Sequence, residues 1–200
     1  VENDNLERYR AQIEPLRKIA FLGVGAAVFY FAGTAGTSLW RSWLLFKNST
    51  DFGVKDVQFN LDISFFAFRL PFWQSLISWG FSALILAILA AGAVHYLYGG
   101  LRPQMRQDRS TPFARAQLSV LLGLVVLLKG VAYWFDRYAL SLKENKLITG
   151  LTYSDVNALL PAKAILAGIA VICSLLFFAN IFRKSWFLPA SGTALLVISA

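Results

Sequence analysis

The sequence predicts an all-α fold, a polytopic transmembrane helix bundle with four full spans and a truncated fifth. Three observations predict it. First, stretches 19–35, 72–94, 116–135 and 162–182 are each long and apolar, and a fifth begins at Leu188 and runs to the last residue. A hydrocarbon core of roughly 30 Å needs about 20 such residues in a helix. Second, hydrophobic residues make up 57% of the chain and charged ones 15%, against roughly a quarter charged in ordinary soluble domains. Third, tryptophan and basic residues collect where the apolar stretches end, as they do at membrane–water boundaries.

The elements follow in order. Residues 1–18 are polar, carry Arg8, Arg10, Arg17 and Lys18, and are expected to form a cytoplasmic juxtamembrane segment, with Pro15 near the start of the first span. Residues 19–200 form the bundle. The first helix is expected over about 16–45 if it continues past Gly36, ending in a margin of Trp40, Arg41, Trp43, Phe46 and Lys47. An outer loop at about 47–70 follows, and the second helix descends from Pro71 to about Tyr98. The inner loop at about 99–115 holds Arg102, Arg106, Arg109 and Arg115 against a single acid, Asp108, which is the clearest cytoplasmic marker. The third helix rises to about Tyr138, a second outer loop covers about 139–160, and the fourth helix descends from Pro161 to Phe182. Arg183 and Lys184 open a short inner loop at about 183–187, after which the fifth span begins.

The net charge of +8 raises nucleic-acid binding, because clustered bases neutralise phosphates. In a membrane chain such bases instead mark cytoplasmic helix ends facing anionic lipid. The expected partners are therefore the lipid bilayer and other membrane proteins, with no nucleic acid, and the expected location is the cell (plasma) membrane. Cys173 is the one cysteine and lies inside a span, so no internal disulfide or thiolate metal cluster is available to the chain. The chain opens on Val1, and the run 188–200 is too short to span. Both suggest part of a longer protein.

Small residues propose where helices meet, since helices in lipid associate by close backbone approach. Candidate faces are Gly23, Ala27, Tyr30, Thr34 and Thr37 on the first helix, and Ala83, Ala87 and Ala91 on the second. The fourth offers Ala164, Gly168 and Ile172, or Ala167, Val171 and Ser174. A glycine hinge for transport would look the same.

Lys129 is the sharpest chemical candidate, about 14 residues or ~21 Å along the third helix from Arg115. A charge at mid-helix costs roughly 2.5–3.5 kcal/mol on insertion scales. One reading is an ion or proton relay with Tyr133 one turn outward and Asp136 two turns outward on the same face. The other is a long side chain snorkelling to the outer boundary. His95, the one histidine, lies in an aromatic margin with Tyr96 and Tyr98 and is given no catalytic role. In the first outer loop, Asp62 is placed to cap a short helix at about 63–70 that would lay Phe65, Phe66 and Phe68 on the membrane surface before Pro71. In the second, Thr152 and Asp155 have capping-box spacing ahead of a short helix expected to end at Pro161.

No P-loop, HExxH, GxSxG or CxxC pattern occurs in the chain, so no catalytic residue, metal or cofactor is assigned. Asn48-Ser49-Thr50 matches a glycosylation sequon on the proposed outer side.

The run FGVKDVQFNLDISFFAFRLPFW at 52–73, with HYLYGG at 95–100, YWFDRY at 133–138 and YSDVN at 153–157, resembles uncharacterised protein family (UPF) 0182, large bacterial multi-pass membrane proteins. The resemblance covers the whole chain in order. It implies an N-terminal bundle of about seven helices, consistent in scale with a span-by-span count, followed by a large extracytoplasmic region, and it supplies no reaction and no catalytic residue. Asn60 departs from a pattern that more often has glycine there. The expected role is the membrane-embedded anchor or scaffold of a larger cell-envelope protein with an extracytoplasmic domain. The alternative is a transporter or channel subunit with Lys129 in a polar pathway.

Overall fold

The computed structural model describes residues 17–98, 100–101, 110–143 and 150–180. The fifth span expected from Leu188, residues 1–16 and the arginines 102, 106 and 109 lie outside the described residues. The described residues are helical, with two isolated antiparallel bridges, Lys55 to Asp62 and Leu101 to Ser110.

Four long helices follow one another: α1, Arg17–Lys47; α2, Leu70–Leu97; α3, Pro112–Ala139; α4, Leu160–Ala179. Three helical segments, Phe65–Tyr96, Pro112–Leu142 and Asp155–Ala179, are long and apolar enough to cross a membrane. α1 runs unbroken through Gly36 for 31 residues, about 46 Å at helical rise. It ends where the Asn48 backbone N–H and side-chain amide both donate to the Leu44 carbonyl.

Each start has a local cause. Thr111 caps α3, its hydroxyl accepting from the Ala114 N–H at 3.3 Å, and Pro112 follows where no N–H is required. α2 and α4 begin earlier than their prolines suggest. A π-helical turn at Phe65–Arg69 leads into α2, and another at Asp155–Leu159 leads into α4. The short helix expected to end at Pro161 instead continues through it into α4. The proline is tolerated because it falls within the first turn after the wider π turn, where a missing donor costs little.

The helices pack in chain order, most extensively α3 on α4, then α2 on α3. Between α3 and α4 the facing residues are Ser119, Gly123, Val126 and Gly130 on one side and Ala167, Ala170, Cys173, Ser174 and Phe177 on the other, all buried. A Cβ on Gly123 would stand 2.7 Å from a Phe178 ring carbon, and one on Gly130 would stand 3.2 Å from the Ala170 Cβ. Glycine is therefore what sets the interhelical distance. Near the start of α3 and the end of α4 the Asn180 amide donates to the Ser119 hydroxyl at 3.0 Å.

Of the small-residue faces, Ala167 and Ser174 are buried in this contact, while Val171 beside them is 42% exposed. Ala83 and Ala87 are exposed, and a Cβ at Gly23 or Gly168 would meet nothing within 4 Å. α2 meets α3 through Gly80 under Leu128 and through Trp73 stacked on Phe135 at 5.5 Å. α1 meets α2 at its C-terminal end, where Phe46 stacks on Phe72 at 4.7 Å.

Candidate functional site

The ordered chemistry is concentrated at the proposed outer end of the bundle, in the two connections that lead into α2 and α4. In the first, residues 48–64 fold into a hairpin rather than an open loop. The Asp56 N–H donates to the Leu61 carbonyl and the Ile63 N–H to the Val54 carbonyl, at 2.8 and 2.9 Å. Asp56 makes the tip, its carboxylate accepting from the N–H groups of Gln58 and Phe59. Asn60 sits at φ +53°, in the left-handed region, which glycine and asparagine adopt most readily.

Asp62 closes the hairpin. Its carboxylate accepts three backbone N–H groups, from Phe52 (3.0 Å), Gly53 (2.9 Å) and Ser64 (2.8 Å). The last of these is the helix cap that the spacing predicts. The Phe52 and Ser64 donors, with Gly53 behind them, pull the Asp62 pKa down to about 2, since a bonded carboxylate holds its charge. Asp51 and Arg69 add an exposed pair at 3.7 Å across the base.

The aromatics of this loop do not lie as a row on the membrane surface. Phe66 is buried and meets Phe65 edge-on at 5.3 Å, and Phe65 and Phe59 both pack on Tyr138 at the end of α3, at 5.3 and 4.9 Å. Phe68 packs on Phe52 within the hairpin. Burial against Tyr138 wins because each ring sheds water on contact and gains aromatic pairing besides.

The second connection centres on Asp155, which is 1% exposed. Its Oδ2 accepts the Thr152 backbone N–H (2.9 Å) and hydroxyl (2.6 Å), and its own N–H donates back to Thr152 Oγ1. This is the reciprocal capping box read from the spacing. Lys143 supplies the ammonium, 3.3 Å from Oδ1.

The three membrane candidates separate in space. Lys129 is exposed, with its ammonium 4.8 Å from the centre of the Tyr133 ring, a cation–π distance. Asp136 pairs instead with Lys163 of α4, Nζ to Oδ2 at 3.0 Å. Lys129 and Tyr133 are brought together, and Asp136 belongs to a different pair. Lys163 has no role in the sequence reading, although its place two residues after Pro161, near the start of α4, puts it level with Asp136 near the end of α3. Next to Asp136, Arg137 lies 4.6 Å over the Trp134 ring, with its Nε buried and lacking a hydrogen-bond partner in the described residues.

At the opposite end, His95 is 9% exposed rather than spread in an interfacial margin. Its Nε2 pairs with Gln117 Oε1 at 2.9 Å and its carbonyl accepts the Leu101 N–H, which ties α2 to α3. Among the described residues no three His, Cys, Asp or Glu side chains are grouped to hold a metal ion.

Comparison with known proteins gives one consistent answer. The family model described as uncharacterised protein family (UPF0182) matches residues 1–200. A UPF0182 protein of Streptomyces coelicolor is 50% identical over 205 residues, covering 100% of this chain and 20% of its own length. Relatives from a Nocardioides species and from Thermobifida fusca are 46% and 44% identical, with the same coverage of 100% and 20%. The chain thus spans about a fifth of the length of the curated relatives it matches. No solved structure matches.

Proposed function

The chain belongs to the uncharacterised family UPF0182, and from that premise we propose that these 200 residues are the membrane-embedded anchor and scaffold of a larger cell-envelope protein. In this reading residues 1–18 are cytoplasmic, the two capped connections face outward, and an extracytoplasmic domain follows the bundle. α1 crosses the membrane with the three helices whose length and hydropathy suit it.

The single observation that carries the reading is the packing of α3 on α4. Gly123 and Gly130 seat Phe178 and Ala170 in direct contact, making a dense hairpin rather than the wall of a wet cavity. Asp136, the acid nearest to Lys129 along α3, is already neutralised by Lys163. The long relatives add support, because a chain that is a fifth of their length leaves ample sequence for a further domain.

The test is a specific protease site placed between the last span of the bundle and the domain that follows it, in the full-length protein in its own membrane. Cleavage from outside should release the following region while the bundle stays in the membrane. Retention of both parts after a high-salt wash would reject the anchor role.

A second reading, a transporter or channel subunit with Lys129, Tyr133 and Asp136 along a polar pathway, is favoured by one observation. Lys129 carries its charge on an exposed face of a spanning helix, where lipid is a costly neighbour. Under that reading Lys129→Gln lowers flux in reconstituted full-length protein, whereas the anchor reading expects no change.

A further inference from the structure

The starts of α2 and α4 are two copies of one device, in register at an offset of 90 residues. Asn60 and Gly150 both have positive φ. Leu61 and Leu151 follow, then the capping residues Asp62 and Thr152. Ser64 and Ser154 precede the π turns Phe65–Arg69 and Asp155–Leu159, after which Leu70 and Leu160 are both buried and Pro71 and Pro161 come next. Two helix hairpins built alike give each position on α2 a counterpart on α4.

That correspondence isolates one difference. A groove of about 490 Å³ lies between α1 and α2, lined by Leu39, Gln74, Ser75, Ser78, Trp79 and Ser82, with Pro71 at its outer end. The counterparts of its four polar residues are Ala164, Ile165, Gly168 and Ile172, of which Ile165 and Ile172 are 62% and 58% exposed on an apolar, lipid-compatible face. The shared architecture therefore does not require polarity at these positions. Ser75 and Ser82 donate to the carbonyls of Pro71 and Ser78. The Gln74 amide and the Ser78 hydroxyl have no partner among the described residues, a costly state in hydrocarbon.

We propose that this groove seats a further transmembrane helix of the same full-length polypeptide, one that offers hydrogen-bonding side chains to Gln74, Ser78 and Ser82. Three features select a helix. The stripe repeats every four residues, the ridge spacing along which helices interlock. It is uncharged and extends about 12 Å along α2, deeper than a lipid headgroup sits. It also combines small residues for close approach with amide and hydroxyl groups that bond across a helix pair. The source is the same polypeptide because the curated relatives are about five times as long as this chain, so intramolecular docking needs no second molecule. The inference rests on membrane embedding and not on the anchor role.

The test places p-benzoylphenylalanine at Ser78 of the full-length protein in its native membrane, with the same probe at Ile172 as the counterpart on α4. After irradiation the Ser78 probe should join a peptide of the same polypeptide lying outside these 200 residues, with no rise to dimer mass. A lipid adduct, a cross-link to a second copy, or a cross-link to α1 alone would overturn the proposal. Should the bulky probe block insertion, Ser82→Cys and Ile172→Cys in a background freed of the full-length protein's cysteines, Cys173 included, serve instead. A membrane-permeant maleimide should then label Ser82→Cys about tenfold more slowly, and equal rates would overturn the proposal. The cleavage experiment on the anchor role reads neither outcome.

Discussion

The two caps share a backbone and differ in what holds their acids. Asp62 is bonded by three main-chain N–H groups, two of them about ten residues away at Phe52 and Gly53. It therefore fastens a hairpin as well as a helix. Asp155 is sealed by one neighbouring residue, Thr152, and by the Lys143 ammonium. A carboxylate satisfied by backbone tolerates side-chain changes around it, whereas one that shares a single N–H with a hydroxyl and an ammonium depends on those two side chains. The first cap is a self-contained module and the second is a small network whose members fail together.

The largest effect should come from Asp155. Asp155→Ala removes a carboxylate that is 1% exposed and leaves the Thr152 N–H and hydroxyl without their acceptor, while the half-exposed Lys143 ammonium turns to water. Losing a buried acceptor from a hydrogen-bonded cap is costly. The purified full-length protein in detergent should melt lower for this variant than for Asp62→Ala. Asp62→Ala should instead raise hydrogen exchange over residues 52–64 and leave α2 protected. The reverse ranking would break the comparison.

Next in size is Gly150→Ala. Gly150 sits at φ +111°, a conformation that costs a side-chain-bearing residue about 1–3 kcal/mol. Its counterpart change, Asn60→Gly, should move stability by only a few tenths of a kcal/mol, because φ +53° already suits asparagine. Thr152→Ala should cost about 1 kcal/mol as a lost cap, and Thr152→Ser should recover most of it. Thermal melting of these four variants checks the order.

The smallest effect is on acid tolerance. The folded pKa of Asp62 lies below its ordinary value of 3.8, at about 2. Its contribution is therefore complete above the ordinary value and is lost as pH falls through about 2. Protection of the Phe52 and Gly53 amides should accordingly persist at pH 4 and fall between pH 4 and 2. Asp62→Asn should abolish that step.

Local chemistry was legible in the sequence and distant contact was not. Asp62 ahead of Ser64, and Thr152 three residues before Asp155, announce caps because the bonds span two or three positions. The apolar runs announce the helices for the same reason. Pro161 misleads as a stop signal, since the π turn before it removes the clash that would have ended the helix. Phe65 reads as a surface residue because nothing nearby in sequence reveals Tyr138, more than 70 positions on. Asp136 was grouped with Lys129 by helical spacing, while its partner Lys163 is on another helix. Gly123 and Gly130 did carry a signal, with Ser119 four residues before Gly123, but that face went unread beside the more conspicuous alanines of α2.

The account turns on both caps standing on the outer side of the membrane, because only then does the bundle hold a following domain outside the cell. Val57 at the hairpin tip is fully exposed, and Tyr153 at the second cap is 85% exposed. In a background freed of the full-length protein's cysteines, Cys173 included, Val57→Cys and Tyr153→Cys can each be treated on intact cells with a membrane-impermeant maleimide. Both should label before lysis, and to the same extent as after it. Labelling of either one only after lysis would contradict the account.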